Sequence, residues 1–144
     1  MSDDLFFLVE LEVKPGQIDE LRSVMEEMVG RTRTDEPGTV GYEWFLSADG
    51  TACHIYERYA DEAGILAHSA TFPEALSRRG QAFRPIQLTT YGKLTDAIRE
   101  KRIEPLRKAV PGISVILLEP LGGFTRERAT AKVPEGAAAI GTSI

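Results

Sequence analysis

The first stretch of the chain alternates. Leu5, Phe7, Val9, Leu11 and Val13 fall on one face at period two, with glutamates between them, which predicts a strand. Pro15-Gly16 closes it as turn residues do. From Gln17 the period lengthens. Ile18, Leu21, Val24, Met25, Met28 and Val29 recur at helical spacing, with Asp19, Glu20, Glu26 and Glu27 on the polar side. This predicts a helix to about Arg33, and Glu36-Pro37-Gly38 then breaks the chain. Residues 39–47 and 52–59 read as two strands joined at Asp49-Gly50, a dipeptide that tolerates the positive φ of a tight hairpin. That turn sets a register. Tyr42 faces Glu57, Trp44 faces Ile55 and Val40 faces Tyr59. Val40, Tyr42, Trp44, Leu46, Cys53, Ile55, Glu57 and Tyr59 then share the greasier face, while Glu43, Phe45, Ser47, His54, Tyr56 and Arg58 share the other.

Asp61 fits the N-cap of a second helix running to about Ala70. Phe72-Pro73 interrupts it, residues 74–83 read as a further helical piece, and residues 86–93 alternate as a fourth strand. The order β-α-β-β-α-β is the ferredoxin-like arrangement of an α+β domain, with an antiparallel sheet covered by helices on one face. Residues 1–94 form this domain. Residues 95–144 form a C-terminal extension: a charged helix broken or restarted at Pro105, a turn at Pro111-Gly112, a strand over 113–119, and a last part that is either a flexible tail or an arm across a partner.

The bulk numbers narrow the classes. A chain of 144 residues can bury a core without staples. A net charge of −5 is not the footprint of a nucleic-acid binder. The apolar runs are far too short to span a bilayer, and the acidic residues of the N-terminus are unlike a signal peptide. One cysteine, Cys53, fits a reducing compartment. A cytoplasmic protein without a membrane or nucleic-acid partner is expected. Both faces of the hairpin carry large apolar groups, and helices cover only one. Phe45 and Tyr56 would be left wet, which points to a homodimer packed sheet against sheet; the alternative is an extension that folds back over the sheet.

Several residues suit chemistry. His68 has the titration range to take a proton from a phenol or quinol, or else sits on a solvated helix face. Ala63, Leu66, Ala67 and Ala70 form one apolar stripe and Ile65, His68 and Phe72 another, so if the first is the core His68 points outward. Glu57, among apolar neighbours, is either a base or a structural carboxylate bonded to a tyrosine or to backbone. Tyr42, Trp44, Tyr59, Leu66 and Phe72 suit the wall of a pocket for a flat substrate, or plain core packing. Arg84 suits an anionic substrate group, or open solvent. Metal ligation has little support: Cys53 and His54 point to opposite faces of one strand.

Val13-Lys14-Pro15-Gly16 before a helix, then Glu36-Pro37-Gly38-Thr39-Val40-Gly41-Tyr42, Ile55-Tyr56-Glu57-Arg58-Tyr59 and Ala67-His68, form an ordered set over residues 5–94 that resembles the antibiotic biosynthesis monooxygenase family. The resemblance implies a dimeric α+β barrel. It also implies a monooxygenase needing no cofactor that oxidises a quinol or polyphenol with O₂. Alternatives on the same fold are a non-catalytic binder of small molecules and a proton-shuttling isomerase or lyase. Leu66 and Leu76 stand where haem-degrading relatives carry a tryptophan and a haem-ligating histidine, so haem degradation is not implied. Tyr59 stands where a tryptophan is common.

Overall fold

The computed structural model describes residues 4–69 and 82–126. Strand β1 (Leu5–Val13) leads to α1 (Ile18–Asp35), the hairpin β2 (Thr39–Leu46) and β3 (Ala52–Tyr59), α2 (Glu62–Ser69) and β4 (Phe83–Tyr91). Then come α3 (Asp96–Ile98), a π-helical turn (Arg99–Ile103), α4 (Glu104–Ala109) and β5 (Ser114–Leu118). The sheet order is β2-β3-β1-β4-β5. The first four strands pair antiparallel, as the ferredoxin-like pattern requires. The fifth runs parallel to β4, so the sheet is mixed. A parallel neighbour needs a long crossover, and residues 92–113 supply it. The extension thus adds a strand to the sheet rather than standing beside it.

The alternation of β1 is realised in full: Leu5, Phe7, Val9, Leu11 and Val13 are all buried. Leu21, Val24 and Met28 of α1 meet them, as do Ile65 of α2 and Ile98, Ile103 and Leu106 of the crossover. Both helices and the crossover therefore lie on one side of the sheet, and the crossover does not cover the other.

The hairpin register follows the turn. Tyr42 pairs with Glu57, Trp44 with Ile55 and Leu46 with Cys53. It fails at one residue: the ladder shifts between Thr39 and Gly41, so Thr39 and not Val40 stands opposite Tyr59, and Val40 is left 54% exposed. A bulge next to a glycine ends the alternation that a strict period of two would continue.

The fourth strand starts three residues before the expected position 86. Phe83, expected at the end of a helical piece, is paired with Val13. Residues 74–81 of that piece lie outside the described residues, as does Phe72. Thr95 caps the helical run that follows, its side chain accepting from the Ile98 N–H. The break expected at Pro105 appears before it. The Glu104 N–H reaches the Arg99 carbonyl, five residues back, and Pro105 has no N–H with which to resume the tighter α pattern at once. Among the described residues no helix is long and apolar enough to cross a membrane.

Candidate functional site

The site begins with two glycines. Gly38, just before β2, and Gly64, in the first turn of α2, approach so closely that a Cβ on Gly64 would stand 2.6 Å from the Gly38 carbonyl oxygen. Asp61 caps this end of α2, accepting from the Gly64 N–H at 2.9 Å. The contact draws α2 onto the strands and turns its Ile65 and His68 inward. Both are fully buried, whereas Ala63 and Ala67 are exposed. The stripe of Ile65 and His68 is thus the core-facing one, and the outward orientation that the alanine stripe would have given His68 is not what forms.

His68 lies between two carboxylates. Its Nδ1 is 2.9 Å from Glu36 Oε1 and its Nε2 is 3.8 Å from Glu57 Oε2. Glu36 is held at the end of α1, where its backbone N–H bonds to the Thr32 carbonyl and its Oε2 accepts from the Thr32 hydroxyl at 3.4 Å. Glu57 Oε1 accepts from the Tyr59 hydroxyl at 2.5 Å. Glu57, Tyr59 and His68 are fully buried and Glu36 nearly so. The chain Glu36–His68–Glu57–Tyr59 therefore crosses the interior from α1 through α2 to β3. With Nδ1 engaged by Glu36, Nε2 is the ring nitrogen turned toward Glu57, the arrangement in which a carboxylate orients a histidine for proton transfer. The imidazole stands between the two carboxylates, so the three cannot converge on one ion. Among the described residues no group of three or more histidines, cysteines and acids is placed to hold a metal.

The sheet provides the floor. Tyr42, Glu57, Phe7, Thr90 and Leu117 stand opposite one another in successive strands and form one row under the helices. The Tyr42 ring meets His68 edge to face at 4.9 Å and Trp44 at 6.0 Å. Burial, and then the Glu57 charge, hold the Tyr42 and Tyr59 hydroxyls well above their ordinary titration range. The Trp44 indole N–H acts the other way on Tyr42, although the two fall short of hydrogen-bonding geometry.

Above the row lies Arg102, only 4% exposed, with its guanidinium 5.7 Å over the Phe7 ring. Its charge lowers the titration of both Tyr42 and Tyr59, opposing burial. Among the described residues, Tyr42 Oη, Trp44 Nε1, Glu57 Oε2 and Thr90 Oγ1 are buried without a hydrogen-bond partner. Such orphans are uncommon in a folded interior.

The structure thus brings together His68, Glu57, Tyr42, Trp44 and Tyr59, with half-buried Leu66 on the same helix as His68 and packed against the core. Arg84 stands apart. It is exposed and pairs with Glu12 at 3.0 Å. Glu36, Thr90 and Arg102 are the members that sequence reasoning missed. Glu36 read as part of a chain break, and Arg102 as one charge in a charged helix.

A family model described as antibiotic biosynthesis monooxygenase matches residues 5–78. The Mycobacterium tuberculosis protein Rv0793, whose name marks it as a candidate monooxygenase, is 26% identical over 101 residues, covering 67% of this chain and 98% of that protein. Its solved structure superposes with a TM-score of 0.55 at 24% identity, covering 65% of this chain and 98% of that one. The crystal structure of MupZ from Pseudomonas fluorescens superposes with a TM-score of 0.66 at 20% identity, covering 85% of this chain and 94% of that one. At these identities the structures establish the shared fold, and the MupZ likeness reaches beyond residue 94. With the family match spanning half of its length, in the order of elements seen here, this chain belongs to the antibiotic biosynthesis monooxygenase family.

Proposed function

We propose that the protein binds a small, flat organic molecule over the Tyr42–Glu57–Phe7–Thr90 row and removes a proton from it at the Glu57–His68 pair. We further propose that, as a cofactor-independent monooxygenase, it lets the resulting anion react with O₂. The observation that carries this reading is the buried carboxylate–imidazole–carboxylate chain, with Glu57 Oε2 facing His68 Nε2 at 3.8 Å and accepting no hydrogen bond. A quinol or polyphenol suits it. Its hydroxyl has an acceptor in Glu57, and its ring has Tyr42 and Trp44 as neighbours. Once deprotonated, such a ring gives an electron to O₂. Recombination joins the two at a ring carbon that bears hydrogen, as a peroxide. Loss of that hydrogen as a proton breaks the O–O bond, leaving one oxygen as a carbonyl on the ring and releasing the other as hydroxide, which is protonated to water. The substrate supplies all four electrons.

The sheet face turned away from the helices completes the proposal. Phe6, Leu8, Phe45, Tyr56, Tyr91, Ile116 and Leu118 lie on it by register, and Phe45, Tyr91, Ile116 and Leu118 are substantially exposed. A second copy packed face to face would bury them in a homodimer.

Oxygen uptake with menadiol tests the chemistry. Uptake above autoxidation is expected, falling about 10²–10⁴-fold in His68→Ala. Uptake no faster than autoxidation, unchanged by that substitution, would end the monooxygenase reading. A proton-shuttling isomerase or lyase is the second reading, favoured because Glu36, His68 and Glu57 alone suffice for it. Deuterium exchange into a bound ligand without oxygen would mark it.

A further inference from the structure

The crossover between β4 and β5 contributes a buried cation to a site whose carboxylates and imidazole, Glu36, Glu57 and His68, all lie in the first seventy residues. The Arg102 guanidinium stands over Phe7, and Phe7 is paired with Glu57 on one side and Thr90 on the other. Both neighbours of Phe7 are fully buried, and each has a side-chain oxygen without a hydrogen-bond partner, Glu57 Oε2 and Thr90 Oγ1. An arginine does not release its proton at any working pH, so the positive charge is fixed. Proton removal from a ligand shifts negative charge from the accepting group to the ligand. In a water-poor interior that shift is favoured by a fixed cation near the atom that becomes charged. The π-turn places this residue, because the carbonyl of Arg99 is reached from Glu104 rather than from one residue earlier. Such turns are often found at functional positions.

We infer that Arg102 is the anion-holding residue of the site and that the ligand is a phenol or enol bound as its oxyanion beside Glu57, with the charged oxygen facing the Arg102 guanidinium and the ring toward Tyr42 and Trp44. The inference rests on the proposed proton removal, and it adds which residue holds the anion that this step leaves.

The probe is 4-nitrophenol, whose ionised form absorbs visible light, with 4-nitroanisole as its neutral counterpart. The full-length protein is expected to bind nitrophenolate in preference to nitroanisole and to raise the ionised fraction at a pH where the free probe is mostly neutral. Arg102→Gln should weaken nitrophenolate binding about tenfold, or about 1.4 kcal/mol, and leave nitroanisole binding unchanged. Arg102→Lys should retain part of the preference. Equal loss of both probes in Arg102→Gln would show a purely structural arginine and overturn the inference. So would a wild-type protein that binds both probes equally or binds neither, a result that needs no variant to fold. The two proposals fail separately. A phenolate preference without oxygen uptake from menadiol removes only the monooxygenase reading. Oxygen uptake that Arg102→Gln leaves intact removes only the role of Arg102.

Discussion

Gly38 and Gly64 meet backbone to backbone, with the Cα of Gly64 2.7 Å from where a Cβ on Gly38 would sit. No side chain fits between them, and the neighbours are main-chain atoms that cannot step aside. Gly64→Ala should therefore push α2 away from the start of β2 and lengthen the 2.9 Å contact between His68 and Glu36. The expected cost is about 1–3 kcal/mol in urea denaturation, with a loss of turnover larger than the loss of stability explains.

Glu36 holds His68 with one oxygen and Thr32 with the other. Glu36→Gln keeps the shape and removes the charge. It should cost about 1.5–3 kcal/mol, the worth of a buried hydrogen bond to a charged group. A downfield Nδ1 proton resonance from His68, expected in the wild type, should move upfield in the variant.

Tyr59 and Tyr42 carry hydroxyls raised above the ordinary value of 10.0 by burial and by Glu57. The sign follows directly. Above pH 10 the unfolded chain has lost these protons and the folded one has not, so stability is level below that pH and falls as pH rises through it. Each tyrosine adds a slope of up to about 1.4 kcal/mol per pH unit. Denaturation series between pH 9 and 11.5 should show a shallower fall in Tyr59→Phe than in the wild type.

Cys53 is 2% exposed, and burial pushes its thiol up to about 11. At pH 8 the thiolate is scarce and shielded. Iodoacetamide should leave the folded protein unmodified over a period that fully alkylates the urea-unfolded chain, as read by mass spectrometry.

The sheet face turned away from the helices should hold two copies together. Light scattering should give twice the chain mass for the wild type and the single mass for Phe45→Glu with Ile116→Glu. Both residues are well exposed in the single chain, at 54% and 38%, so the far-UV spectrum of the variant should be unchanged.

Much of the fold was legible because period and turn chemistry are local. Five alternating apolar residues specified β1, and Asp49-Gly50 specified which hairpin residues face each other, down to Tyr42 opposite Glu57. The signal failed where a distant contact decides. The bulge at Val40 depends on how β2 begins beside Gly38. The inward side of α2 depends on the glycine contact, because its alanine stripe and its Ile65–His68 stripe are both apolar enough to face a core. Glu57 and His68 could be singled out as odd polar residues among apolar ones. Glu36 could not, because a carboxylate before Pro-Gly reads as a helix end until His68 arrives from a residue 32 positions away. Arg102 was hidden among the charges of residues 99–104, where an α-helical wheel takes no account of the wider turn.

The parallel pairing of β5 has a kinetic consequence. The turn bearing Arg102 lies between β4 and β5, so it is anchored at both ends only after the last described strand has docked. During synthesis Glu36, Glu57 and His68 emerge first, and Arg102 follows well after them in the chain. Loop closure of that span must precede the seating of Arg102 over Phe7. Seating of Arg102 and completion of the sheet are therefore one late event, and the hairpin can form long before it.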